Sequence, residues 1–489
     1  MTHTEATALA LESAAALDAI AATTDPSVII NLLKEEARQQ LGPVFGSAQL
    51  EAFQVTGQGQ FYYNWQDSVN IDRFNKQTYN WISSNVKAGG APIMLDQSFN
   101  NLYLQVIQSI YYGLSSADQS VLNNASANSV QQAGAVQRAW KSAFGSLPAA
   151  SANQTPIQAI AAQIVTWASP TTTLQAIRKS TNINNLLNNV PAGADAVVPV
   201  FVNYLNALGP AVSLQDTLNA NANYLQAAVN AIKSPSTGNG GLTLNDGSVV
   251  PAYQVTTQVS DILNSLKSGT PQVSVEMTVS RSTEDEFRVS VSGSTGFSIP
   301  ILDFLTIGVS GEASYFSDNL ATTSNETSVS MTFPGVNYVT FQPVAMTLSG
   351  NTSSWFWVDP IRQAIANTGK DVSSFKFAPL PNVDFTAVGA FGYLQGVVIS
   401  SYPTITITTK TSNYQKVQKT FEQSSSVSVS FLGIPLGSSS ESTYSNHVTV
   451  DASSSTVTIT LSPPPNLVAG TQNDSQAWVL GVVPNYPAA

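Results

Sequence analysis

Cysteine is absent from all 489 residues. That excludes disulfides, thiol nucleophiles and cysteine-ligated metals, and leaves the compartment open. Histidine is nearly absent too: His3 stands near the start and His447 in an alternating stretch. No Ser-His-Asp or Cys-His machinery can be assembled from two such distant residues. Charge is the third shortage. Charged residues make up 10% of the chain, against roughly 25% in ordinary domains. Serine, threonine, asparagine and glutamine take their place, so solubility rests on neutral polar groups. Few Lys and Arg leave few trypsin-type cleavage sites and weak repulsion between copies. The net charge of −11 and the lack of any basic run argue against nucleic acid and against simple docking on anionic lipid. No run approaches the roughly 18 apolar residues of a transmembrane helix. There is no HExxH, P-loop or EF-hand pattern. Glu284, Asp285 and Glu286 adjoin one another as a solvated turn would place them, so the expectation is a protein that is not an enzyme and uses no metal or cofactor.

What is present divides by periodicity. Residues 1–234 read as a helical domain, a bundle of six to eight helices. The alanine-rich start, with Glu5 and Glu12 interrupting it, reads as an amphipathic helix and not as a signal peptide. "DPSVIINLLKEEARQQLG" (25–42) carries Asp25 as N-cap, Pro26 at the first helical position and Gly42 beyond the end. "SFNNLYLQVIQSIYYGL" places Phe99, Leu102, Val106, Ile110 and Leu114 on one helix face. "TPIQAIAAQIVTWAS" does so with Ile157, Ile160, Ile164 and Trp167 behind a Thr155-Pro156 entry. "SLQDTLNANANYLQAAVNAIKS" opens on Ser213 and Asp216 as a helix start. Residues 235–270 form a Gly/Pro-rich linker with an Asp246-Gly247 hairpin turn and one helix bearing Val259, Ile262, Leu263 and Leu266.

From residue 271 the period becomes two. "QVSVEMTVS" puts Val273, Val275, Met277 and Val279 on one side of a strand, and "TITITTK", "SVSVSF", "HVTVD" and "STVTITL" alternate likewise. This half reads as two copies of one unit, residues 271–403 and 404–489. "VSVEMTVSRST" answers to "TITITTKTS", "VSVSGSTGFSIPILDFLTIGVSGEASY" to "VSVSFLGIPLGSSSESTY", and "SVSMTFP" to "TVTITLSP". Both copies close on Pro-Asn, Gly-Val-Val and Tyr-Pro. Copy one carries an insertion at about 335–378. The expected fold class is therefore α+β and multidomain, with an N-terminal helical bundle followed by a duplicated, Ser/Thr-rich, sandwich-like β region.

Two groups of residues are candidate sites. The first is a set of apolar tips framed by Val/Ser alternation: Phe297, Ile299, Ile301, Leu302, Phe304, Leu305 and Ile307 in one copy, and Phe431, Leu432, Ile434 and Leu436 in the other. A strand lining an aqueous pore needs small polar residues toward the lumen and apolar ones toward lipid over about nine to eleven residues. Trp355, Phe356 and Trp357 join them, since aromatic rings favour the bilayer interface. Buried sandwich hairpins alternate in the same way, so both readings stand at this level. The second group is aromatic and amide-rich: Tyr62, Tyr63, Trp65, Tyr79 and Trp81 suit the apolar faces and hydroxyl edges of sugars, or equally the packing of helices.

A helical half, a Ser/Thr-rich β half with framed apolar tips, no export signal and no active-site constellation together resemble the plan of bacterial β-pore-forming toxins. The likeness is one of architecture and covers mainly residues 273–461. It implies a non-enzymatic protein that binds a target-cell membrane or a surface receptor such as a glycan, forms a homo-oligomer and perturbs the membrane. It also implies a protein held in the cytoplasm until released by a signal-less route and acting outside the cell. Two other classes fit the same residues: a self-assembling structural or adhesive protein, and a glycan-binding module.

Overall fold

Alternation at period two leaves a strand one face to bury, and the main sheet is built on that constraint. The computed structural model describes residues 60–62, 76–85, 94–180, 182–291, 297–300, 304–309, 315–321, 326–347, 354–387, 389–424, 427–431, 433–436, 443–464 and 476–489. The helix read over 25–42 and the alanine-rich start lie outside them. The fold is mixed α+β with antiparallel sheets. The described residues form two compact units, those within 60–105, 230–356 and 382–489, and those within 106–229 and 357–381.

In the first unit a seven-stranded antiparallel sheet has the order β10-β9-β8-β12-β16-β20-β19. Its strands are β8 (Gln272–Arg281), β9 (Glu286–Val291), β10 (Phe297–Pro300), β12 (Thr327–Pro334), β16 (Thr404–Lys410), β19 (Ser445–Asp451) and β20 (Thr456–Ser462). Register carries the sequence alternation straight across the strands. Val291, Met277, Val329, Ile407, Ile459 and Val448 stand opposite one another in turn. The central four of these are fully or almost fully buried, and each such side chain contributes about 1.5–3 kcal/mol. Thr327 and Thr409 interrupt this face. Their cost is offset because the Thr327 hydroxyl donates to Leu320 O at 2.6 Å, and a 3.1 Å bond links it to Thr409 Oγ1.

Against the apolar face lies a three-stranded sheet of β11 (Leu305–Val309), β17 (Val427–Phe431) and β18 (Ile434–Pro435). Leu305 faces Phe431, Ile307 faces Val429, and Val309 faces Val427. Phe304 packs edge-to-face on Phe287 with centroids 6.1 Å apart, joining the layers. Helix α9 (Tyr414–Glu422) buries Val417 and Phe421, the latter against Tyr315.

A second seven-stranded sheet runs β1-β21-β15-β13-β7, with β2 attached at β15 and β3 paired to β2. Its members are β1 (Gln60–Tyr62), β2 (Ser84–Asn85), β3 (Met94–Ser98), β7 (Tyr253–Val255), β13 (Asn337–Pro343), β15 (Tyr393–Ser400) and β21 (Gln476–Asn485). β15 and β21 are buried almost throughout, which is why both read as continuous apolar runs around Gly-Val-Val. Gly396 of β15 is required by packing: a Cβ there would collide with the Tyr338 ring. At Gly335, φ is +70° and a Cβ would strike Ser265 O of helix α7 (Val259–Ser268), so only glycine fits. Helix α1 (Lys76–Ile82) and the hairpin of β5 (Gly241–Thr243) and β6 (Val249–Pro251) complete this unit. The hairpin turns at Asp246-Gly247, where φ of Gly247 is +84°.

The second unit is helical. Helix α3 (Ser116–Phe144) starts at Ser115, whose Oγ accepts from Asp118 N–H at 3.1 Å, and stops at Gly145. Helix α4 (Pro156–Thr166) enters through Thr155, whose N–H donates to Gln158 Oε1 at 2.8 Å. With α5 (Leu174–Lys179) and the start of α6 (Val198–Lys233) they enclose Val136, Ile160, Ile164, Ile177 and Phe201. Trp140 and Trp167 stack at 5.6 Å. Strands β4 (Ile110–Gly113) and β14 (Ser374–Phe377) pair, and helix α8 (Asp359–Asn367) precedes β14.

Two sequence expectations change here. Helix α2 (Phe99–Gln108) ends before Ile110, and "IYYG" continues as β4; the β-favouring Ile-Tyr-Tyr run finds a partner in β14, and pairing overrides the helical spacing. Ser213 and Asp216 do not begin a helix. They lie inside α6, which runs through Pro210 without stopping. No run of apolar residues is continuous there, because Pro199, Asn203, Asn206, Gly209 and Pro210 interrupt it. Even so, the helix carries a window long and apolar enough, by length and composition, to cross a membrane.

Candidate functional site

The outer face of the first sheet is the candidate site, and the strand alternation builds it. Ser290, Thr278, Ser328, Thr408, Thr458 and Thr449 form one unbroken row of hydroxyls over six strands. The next row is Glu276, Ser330, Thr406, Thr460 and His447. A third aligns Ser274, Thr332 and Thr404. All are exposed or half-buried. Ser274 bonds to Thr332 at 3.0 Å and Thr408 to Thr458 at 3.3 Å, so the rows are cross-linked along the sheet. Charge is sparse and falls mostly at the margins, on Arg288, Lys410 and Asp451. The hydroxyls of Ser453 and Ser454 hold the Asp451 carboxylate down at about 2. Such a face hydrates well and carries little charge, Glu276 being the carboxylate within its rows, while its reverse is apolar apart from Thr327 and Thr409.

The apolar tips sit on that reverse side. Ile299, Phe304, Leu305, Ile307, Phe431 and Leu436 are buried, none more than 2% exposed. Contact with lipid therefore requires them to leave their present packing. Ile301, Leu302 and Leu432 lie outside the described residues, as do the side chains of Phe297 and Ile434. Trp355 and Phe356 are interior too, in an aromatic cluster with Phe99, Tyr103, Phe391 and Tyr393. Trp355 Nε1 donates to Ala252 O at 2.7 Å. Trp357 is buried in the other unit, edge-on to Phe375 at 5.3 Å.

Of the sugar-binding candidates, Tyr79 and Trp81 are each 6% exposed. A sugar ring needs an open aromatic face, and in this fold neither offers one. Tyr63, Trp65 and the side chain of Tyr62 fall outside the described residues. Tyr79 instead belongs to a buried network that the sequence reading missed. Its hydroxyl donates to Pro251 O at 2.9 Å and accepts from Asn100 Nδ2 at 2.8 Å; Tyr253 donates to Asn100 Oδ1 at 2.6 Å. Burial pushes both hydroxyls well above the usual tyrosine range, and Asn100 partly offsets this at Tyr79. The signal available was an asparagine on the apolar face of α2, where an unpartnered amide would be costly.

Among the described residues, no three His, Asp or Glu side chains converge on a point where a metal could sit. His447 stands exposed in β19 opposite Thr460. No family model, curated protein or solved structure matches the chain.

Proposed function

We propose that this is a non-enzymatic, membrane-perturbing protein of the β-pore-forming kind, which binds a target surface and oligomerises there. The observation that carries the reading is the two-faced sheet: rows of hydroxyls on one side, rows of Val, Ile and Met on the other. A transmembrane β layer needs the same division, hydroxyls toward water and aliphatic side chains toward lipid. β8 has 10 residues, the length of one crossing at about 9–11 residues. In the soluble form the three-stranded sheet and α9 would serve as the cap that keeps the apolar face from water.

Two finer parts belong to the same proposal. The N-terminal helical part would supply receptor contact or shield the β region until assembly. The β region would derive from a duplication: β8 and β12 neighbour each other as β16 and β20 do, and β15 pairs with β21, which are the segments matched in sequence. The protein would wait inside the producing cell and act outside it.

Dye release from liposomes, with size-exclusion before and after lipid, tests the reading. Leakage with a lipid-dependent oligomer is expected; neither, even after limited proteolysis, sinks it. The cysteine-free chain allows a sharper form. Thr306 and Ser430 face each other across β11 and β17. Thr306→Cys with Ser430→Cys should block leakage when oxidised and restore it on reduction. A second reading, self-assembly or adhesion through the outer face, is favoured by the low charge of the hydroxyl rows, in which Glu276 is the carboxylate. Filaments formed without lipid would select it.

A further inference from the structure

The second unit holds an apolar surface with no place in the β mechanism. Core helices of soluble proteins are apolar because they are buried. Helix α6 is apolar without that reason: only 22% of its most apolar eighteen-residue window is buried. Val200, Val202, Tyr204, Leu205, Leu208 and Val212 are each only partly covered. A cavity of about 620 Å³ opens between α5 and this helix, inside the ~300–1,000 Å³ range of ligand sites. Leu205, Leu208 and Val212 give it an apolar wall. Arg178 and Lys179 of α5 stand at the same cavity, as does Asp216 one turn beyond Val212. Arg178, Lys179 and Asp216 are exposed, and among the described residues none of them makes an ion pair. Arg178 also lies close enough to Tyr204 for its guanidinium to act on that hydroxyl.

We propose that this cavity binds a zwitterionic phospholipid. Arg178 and Lys179 take the phosphate, Asp216 takes the quaternary ammonium, and Leu205, Leu208 and Val212 receive the upper acyl chain. The charge pattern selects this occupant. Two cations beside one carboxylate match a phosphocholine head, and a protein of net charge −11 meets a zwitterionic surface without the repulsion an anionic one imposes. Guanidinium and ammonium are the ordinary partners of phosphate. An apolar helix face beside them seats the chain at the depth of the headgroups. This deepens the membrane reading and rests on it, because it names where lipid is first held before any β layer moves.

The test uses the full chain. Binding to phosphatidylcholine vesicles and to phosphatidylglycerol vesicles is measured by flotation, and dye leakage is followed in parallel. A soluble short-chain phosphatidylcholine is titrated by calorimetry. Arg178→Gln with Lys179→Gln, both exposed, should weaken phosphatidylcholine binding by about tenfold or more with unchanged circular dichroism. Leu208→Asn should do the same. Asp216→Asn should shift preference toward phosphatidylglycerol. Lys370→Gln, an exposed cation remote in sequence, should change nothing. If these variants bind and leak like the parent, the cavity is not the lipid site, although the pore reading survives. If the parent binds no vesicle, both fall. Displacement of the short-chain lipid by inorganic phosphate at equal concentration would also overturn the assignment, since the chain would then add nothing.

Discussion

The β layer and helix α6 dispose of apolar side chains in opposite ways. In the sheet, Val275, Met277, Val329, Ile407 and Ile459 are all buried, while the residues that alternate with them, Glu276 apart, carry hydroxyls. In the first half of α6, Val198 and Phe201 reach the core and Val200, Val202, Tyr204 and Leu205 pack against its edge, while Leu208 and Val212 stay half-covered. The difference follows from periodicity. A strand that alternates has one apolar face, and one neighbouring layer satisfies it completely. A helix whose apolar stripe is wider than the face its neighbours cover leaves the remainder to water or to a nonaqueous surrounding. The sheet is thus finished as it stands, and the helix is not.

Large substitutions break this comparison most directly. Phe304→Ala removes a fully buried ring between Phe287, Phe316 and Phe431. It should cost about 3–5 kcal/mol in denaturant unfolding. Leu208→Asn, in the half-covered helix, should cost about 1 kcal/mol or less. Equal costs would mean that α6 is as completely packed as the sheet.

Next in size is Asn100→Ala, which takes the acceptor Oδ1 from the buried Tyr253 hydroxyl, while Tyr79 keeps its bond to Pro251 O. A loss of about 1–3 kcal/mol is expected. Alkali probes the same chemistry without mutation. Burial pushes Tyr338 up to about 12 and raises Tyr79, Tyr253 and Tyr444 as well. These hydroxyls keep their protons in the fold at a pH where the unfolded chain, with tyrosine near about 10, has lost them. Their contribution is complete below about pH 10 and is lost as pH rises toward 12. Tyrosinate absorbance should appear together with the loss of ellipticity; ionisation of all tyrosines before unfolding would contradict the buried network.

The smallest effect is on the acid side. Asp451 is held at about 2 by Ser453 and Ser454 at the β19–β20 turn. Its contribution is present above the ordinary carboxylate value and fades as pH falls toward 2. Asp451→Ala should therefore lower stability slightly at neutral pH, converge with the parent near about pH 2 and flatten the profile below about pH 4.

Legibility followed the range of the interactions. The strands from 272 onward were readable because alternation is local, and the buried set Val273, Val275, Met277 and Val279 was named from it. Thr155-Pro156 and Asp246-Gly247 were readable because caps and turns need only a few neighbouring residues. The end of α2 was not, since "IYYG" becomes a strand only in the presence of β14, more than 250 residues away. Nor was the passage of α6 through Pro210: Ser213 and Asp216 read as a helix start, whereas the helix is continuous from Val198 to Lys233, with Phe201 buried before the proline and Ala211 and Leu225 buried beyond it. The apolar tips were visible as tips, but their burial depended on which layer met them.

By itself, the sequence determined the chemistry of the surfaces. It specified strands with a hydroxyl side and an aliphatic side, a protein short of charge, and no cysteine or histidine cluster with which to do covalent work. Those properties depend on residue type and spacing alone. The tertiary structure decided which surfaces face water. It set six hydroxyls in one row across six strands, enclosed Phe304 and Phe431, bound Tyr79 and Tyr253 through Asn100, and left Leu205, Leu208 and Val212 beside Arg178 and Lys179. These are meetings between residues distant in the chain, and they arise only when long-range burial outweighs local preference.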